Sequence, residues 1–149
     1  MQRGKYEILI TLINIFRATA SFSIDKINHN IQHLATCEND QPHVRPFGAV
    51  CIFEGRLYFV TNNQKNVYHQ LKENQKVEIC GMHKGTWIRV EGEVREDLRR
   101  EARVAMMNEN TAALSGMYTV DDKLMTVFYF EHGTATIYSF TAEPKVIEL

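Results

Sequence analysis

Residues 42–61, PHVRPFGAVCIFEGRLYFVT, constrain the fold more than any other stretch of the chain. β-Branched and aromatic residues run on both sides of Glu54-Gly55-Arg56, and a glycine turn at that point folds the chain back as a β-hairpin. A lone hairpin cannot bury its apolar face, so the remaining chain has to supply more strands. IQHLATC (31–37) is a β-type run followed by the turn residues ENDQ (38–41). PHVRPFGAVCIF (42–53) and LYFVT (57–61) form the hairpin itself. KVEICGM and TWIRVEGEVRE are two strands joined by HKG, which contains Gly85. LMTVFYF and ATIYSF read as a closing pair around His132-Gly133.

Two segments change period. Val67, Tyr68 and Leu71 fall on one face of a helix of two to three turns. From Asp97 onward, Leu98, Ala102, Ala105 and Met106 mark a second helix, and Asn108–Asp122 reads as loop. About seven strands with two short helices, and neither a repeat nor a linker, indicate an antiparallel β-barrel. Leu57–Val60 and Val127–Phe130 carry bulky residues on both parities, so both faces of these strands should be covered, which suggests an oligomer interface.

The bulk properties set the class. The 149 residues make one domain, and 44% hydrophobic with 23% charged residues is the balance of a soluble globular protein. A net charge of −1 offers no electrostatic field for a nucleic acid or an anionic membrane. Cys37, Cys51 and Cys80 lie in apolar runs without a CxxC, the pattern of buried free thiols in a reducing cytoplasm. Residues 1–30 include MQRGKYEILITLINIFRATA, which has the outline of a signal peptide. Glu7, Asn14 and Arg17 speak against that, and the apolar run Ile8–Phe16 is too short to span a bilayer. An N-terminal helical extension, amphipathic or buried, or a misassigned start remains.

Side chains alone give little chemistry. There is no GxSxG and no paired-carboxylate site. His29 and His33 have helical i, i+4 spacing but lack a third ligand, so they read as a surface pair and no metal is expected. Any chemistry needs a cofactor. The informative stretch is TNNQKN (61–66), which stands between a strand and a helix. The first turn of a helix leaves free N–H groups and partial positive charge, an anion site. Thr61, Asn62, Asn63 and Lys65 would complete a phosphate cradle there. The alternative is that Asn62 or Asn63 merely caps the helix, with Lys65 solvated. Arg45 in VRPFG (44–48) adds a second cation, and Gly48 permits close approach. With Trp87 and Arg89 in TWIRVEG, these features suit a planar ligand with a phosphate tail.

In ordered combination, LAT, then VRPFG, LYFVTN, Lys65, and finally WIRVEG resemble the pyridoxamine 5′-phosphate oxidase-like, FMN-binding split-barrel superfamily. The nearest pattern is that of the nitroimidazole-resistance (Nim) proteins and general stress protein 26, over residues 31 to about 141. The resemblance implies a mainly β fold, a six- to seven-stranded antiparallel split β-barrel with short flanking helices, occupying 31–149. It implies a cytoplasmic homodimer with FMN in the grooves between subunits. Arg45, Pro46, Phe47 and Gly48 would line the flavin ring and ribityl chain. Val60, Thr61 and Asn62 would lie beside the ribityl phosphate, and Gln64, Lys65 and Asn66 would form the phosphate turn. Trp87 would sit near the ring, with Met117 and Tyr118 reaching the partner's flavin. The turn reads Lys65-Asn66-Val67 where the oxidases carry serine-arginine-lysine, and the oxidases' C-terminal arginine-histidine pair has no counterpart. The implied activity is therefore FMN-dependent reduction of a small molecule, with nitroaromatics the substrate class the Nim resemblance implies, rather than vitamin B6 oxidation. No catalytic side chain is assigned. A non-enzymatic flavin-binding stress protein, or a deazaflavin or haem binder, are the alternatives.

Overall fold

The computed structural model describes residues 32–83 and 85–149. The expected N-terminal extension, and His29 with it, lie outside the described residues. The strands are β1 (Gln32–Glu38), β2 (Gln41–Phe47), β3 (Val50–Phe53), β4 (Arg56–Asn62), β5 (Lys76–His83), β6 (Thr86–Asp97), β7 (Met125–Ser139) and β8 (Lys145–Glu148). The helices are α1 (Asn66–Glu73), α2 (Arg100–Glu109) and α3 (Thr111–Leu114). All strand pairs are antiparallel, in the order β2-β1-β5-β6-β7-β4-β3, with β8 added to β7.

The two ends of that order, β2 and β3, are consecutive in sequence with only Gly48 and Ala49 between them. A two-residue link spans roughly 10 Å at most, so the sheet has to curl until its edges meet. No hydrogen-bonded ladder joins β2 to β3 among the described residues, which leaves the barrel split at that seam. Cross-strand partners share a face. Leu34, Ile79, Val90 and Ala135 are successive partners, all buried, and define the interior. Leu57, Phe59, Phe128 and Phe130 join the same core, with Phe59 stacked on Phe128 at 5.8 Å.

Several expectations need correction. Residues 42–53 are two strands, because Gly48-Ala49 breaks the run. The second helix does not start at Asp97. β6 runs through Asp97, whose carboxylate accepts from the Arg99 backbone and guanidinium, and Leu98 is 76% exposed. Residues 108–122 hold the end of α2 and all of α3. His132-Gly133 is no hairpin turn but the middle of a 15-residue strand. Gly133 pairs with Gly92 beside a bulge at Glu93/Val94, and a Cβ on Gly92 would lie 2.1 Å from the His132 carbonyl oxygen. The His-Gly dipeptide serves this close backbone approach, not a reversal.

The apolar residues on both parities also have a local explanation. Tyr58, Val60, Val127 and Tyr129 face outward from β4 and β7, where Ala102, Met106 and Leu114 of α2 and α3 cover them. This second core removes the argument from these strands to an oligomer.

Candidate functional site

β4 ends at Asn62, and the next four residues turn the chain into α1. The Asn62 side-chain oxygen accepts from the Gln64 N–H at 2.7 Å, and its carbonyl accepts from the Lys65 N–H at 3.0 Å. Asn63 turns the other way, donating from its backbone to the Leu124 carbonyl and from its side chain to the Lys123 carbonyl at 2.7 Å. Neither amide caps the helix. Lys65 occupies the N-cap position in extended geometry, without a side-chain cap. The Asn66 and Val67 N–H groups find no acceptor among the described residues. The capping alternative is thus not the arrangement formed, and α1 begins as an open pair of donors on a partial positive charge.

Thr61 is buried and pairs with Thr126. The Thr126 hydroxyl is buried with no hydrogen-bond partner among the described residues. Lys65 is exposed and makes no ion pair there. Gln64 and Asn66 are exposed on the same turn. Amide, backbone N–H and ammonium donors therefore stand together on the Thr61–Asn66 turn, which itself carries no acidic side chain. This donor set fits a phosphomonoester.

Arg45 lies elsewhere. Among the described residues β2 pairs only with β1, and Arg45 stands opposite Leu34, on the interior face. Its Nη1 donates to the Thr36 hydroxyl at 2.7 Å and the Leu34 carbonyl at 3.2 Å, and its Nη2 to Gln70 Oε1 at 2.9 Å. Thr36 also donates to Gln70, and Gln70 donates to Glu38. Gln70 is five residues beyond Lys65, about 7.5 Å along the helix axis. Arg45 consequently pins α1 to β1, and three of its five N–H donors are committed. Burial lowers its pKa from the ordinary value. Phe47 packs edge-on against Phe59 in the core, while Pro46 and Gly48 are exposed. Apart from its chain neighbours, nothing among the described residues lies within 4 Å of where a Gly48 Cβ would be, which leaves room there.

Trp87 is on the outer face of β6, stacked on Tyr138 at 5.2 Å and tilted against Phe140, itself 80% exposed. Met82, its partner across β5, is also exposed. Arg89 is paired with Glu78 and leans over Tyr138, so it is not a free cation. Trp87 meets β7 at Tyr138 and Thr61 meets it at Thr126. Twelve residues of strand separate these points, up to about 40 Å. Within one chain Trp87 and the Thr61–Asn66 turn stand against opposite ends of β7. Val60 and Tyr118 pack into the helix-covered core, and Met117 is 62% exposed beyond α3.

Sequence reasoning missed Lys123, Thr126 and Gln70. Gln70 carried a usable signal, a polar residue next to Leu71 on the buried face of α1. Among the described residues no group of three His, Cys, Asp or Glu is placed to hold a metal ion, and His33 lies on a strand. Cys51 is buried and its thiol is pushed up to about 12 by burial and by Glu109, whereas Cys37 and Cys80 are only half-buried; all three are free. No helix among the described residues is long and apolar enough to cross a membrane.

Comparison with known proteins places this arrangement. Curated protein sequences give no match. A crystal structure of a NimC/NimA family protein from Clostridium acetobutylicum is 41% identical, covering 93% of this chain and 90% of that one, with a TM-score of 0.81. A pyridoxamine 5′-phosphate oxidase-related, FMN binding protein from Nostoc punctiforme is 14% identical (93% and 95% covered, TM-score 0.58). A heme binding protein from Mycobacterium smegmatis is 13% identical (89% and 56% covered, TM-score 0.65). These last two share the fold. The family model described as pyridoxamine 5′-phosphate oxidase matches residues 25–139, from before β1 to the last residue of β7. With the split barrel, the uncapped turn and the NimC/NimA likeness in agreement, the chain belongs to the pyridoxamine 5′-phosphate oxidase family.

Proposed function

We propose that this chain binds FMN and acts as a flavin-dependent oxidoreductase on a small molecule, with a nitroaromatic as the substrate class suggested by the Nim resemblance. The observation that carries the reading is the mouth of α1, where uncapped N–H groups follow directly on Gln64 and Lys65, with the unpartnered Thr126 hydroxyl buried on the strand opposite Thr61. Bound there, FMN would supply the electron transfer. The chain's own residues hold the phosphate at Thr61–Asn66 and anchor α1 through Arg45 and Gln70, which keeps the donors aimed. Gly48 leaves room beside the seam of the barrel.

The working unit in this proposal is a cytoplasmic homodimer. Trp87 and the 61–66 turn meet β7 twelve residues apart, which suits a flavin shared between two chains. A second copy would bring its Trp87, Tyr138 and Phe140 to the ring, and would cover apolar side chains such as Met82 and Phe140. A flavin-binding protein without a dedicated substrate is the second reading. It is favoured by one observation, that Thr61–Asn66 offers donors and a cation but no acid or base. Purified protein should carry the absorbance of an oxidised flavin, or quench FMN fluorescence at one per chain, in a particle of dimeric mass. Anaerobic bleaching by NAD(P)H, reversed by a nitroaromatic, would support the enzyme. A haem spectrum, or neither chromophore nor quenching, would overturn the FMN reading.

A further inference from the structure

We infer that Lys123 is a second phosphate-specificity residue for this site, supplying from the turn before β7 the positive charge that the 64–66 turn lacks. The inference rests on the FMN reading above and goes further by naming a residue 58 positions away in sequence.

Asn63 fixes the relation between the two segments, because its side chain donates to the Lys123 carbonyl at 2.7 Å and its N–H to the Leu124 carbonyl at 3.0 Å. The turn that carries Lys123 is therefore tied through Asn63 to the turn that carries Lys65. The Lys123 backbone is held firmly. Asp122 accepts from the N–H groups of Thr119, Leu124 and Met125, a clamp that braces the turn from both sides of Lys123. Lys123 itself has φ of 62°, an uncommon conformation for a residue with a Cβ.

The neighbouring charges are all committed. Asp121 is paired with Arg100, and Asp122 spends its carboxylate on the three backbone donors. Lys123 is exposed and makes no ion pair among the described residues. With the two turns joined at Asn63, both exposed lysines are within the reach of long side chains from one site, which would offer a dianionic tail two ammonium groups in place of the single cation of the 61–66 turn. A phosphate beside both would be favoured over an uncharged hydroxyl at the same place, and the preference would fade with salt.

The test measures FMN and riboflavin affinities by fluorescence quenching, at low and at physiological salt, for the wild type, Lys123→Gln, Lys123→Arg and Lys65→Ala. Lys123→Gln should weaken FMN about fivefold or more at low salt, leave riboflavin unchanged and flatten the salt dependence. Lys123→Arg keeps the charge and should restore most of the preference. Far-UV circular dichroism on each variant separates loss of charge from loss of the turn. If Lys65→Ala lowers the FMN-to-riboflavin ratio and Lys123→Gln does not, Lys123 is an ordinary surface lysine and the inference falls alone. If the wild type does not discriminate FMN from riboflavin at all, the FMN reading falls with it.

Discussion

Replacing Arg45 with methionine separates a structural arginine from a ligand arginine. Methionine keeps much of the aliphatic volume but removes three hydrogen bonds, to Leu34, Thr36 and Gln70. Bonds from a charged donor contribute about 1.5–3 kcal/mol each when lost singly, and a shared donor makes the losses less than additive. Part of the penalty is relieved because the Arg45 charge no longer needs solvating, and Gln70 Oε1 keeps its bond from Thr36. The Thr36 hydroxyl keeps its donor role but loses its incoming bond. A net loss of about 2–4 kcal/mol follows, or roughly 5–15 °C in Tm for a domain of this size. Urea unfolding of flavin-free protein at pH 7 measures it, with the midpoint lowered and the slope unchanged. A loss below about 0.5 kcal/mol would mean that the guanidinium is a solvated cation and that α1 is not anchored through it.

Gly92→Ala should destabilise by about 3 kcal/mol or more, because the new methyl meets backbone atoms of His132 and Gly133 that cannot step aside, whereas Gly48→Ala, which meets nothing, should stay within about 0.5 kcal/mol; equal midpoints in urea would refute the close-approach reading. Asp97 is pushed up by burial, yet its bonds from Arg99 and the Tyr58 hydroxyl outweigh this and hold its carboxyl below the usual range. A depressed folded pKa gives stability that is present above the unfolded value of about 3.9 and lost as pH falls through the folded one. Asp97→Asn should therefore cost about 1–3 kcal/mol at pH 7, and the gap to wild type should close between pH 5 and pH 2 in urea titrations; a gap independent of pH would contradict it.

The strands were legible wherever one face is buried and alternation survives, as in Ile88–Glu91, and wherever a turn carries glycine, as at Gly55. Two boundaries were not, for opposite reasons. Gly48-Ala49 breaks a run without turn-forming side chains, because the break comes from the barrel's seam rather than from local preference. His132-Gly133 looks like a turn but is needed as a flat spot against Gly92, a partner more than forty residues away in sequence. The donors of Thr61–Asn66 were readable because they are contiguous. The engagement of Arg45 was not legible, since only the fold brings Thr36 and Gln70 to it. Lys123 was invisible, as its link to Asn63 crosses 60 residues.

The central claim, a phosphate held at the mouth of α1, is tested most directly by one comparison: FMN and riboflavin titrated into wild type and Lys65→Ala. The two ligands share the ring and differ in the phosphate. A charge-assisted contact of about 1.5–3 kcal/mol predicts that Lys65→Ala weakens FMN roughly 10- to 100-fold while riboflavin binding holds. An FMN-to-riboflavin ratio unchanged by the substitution would contradict the account, leaving Lys65 a solvated lysine ahead of an uncapped helix.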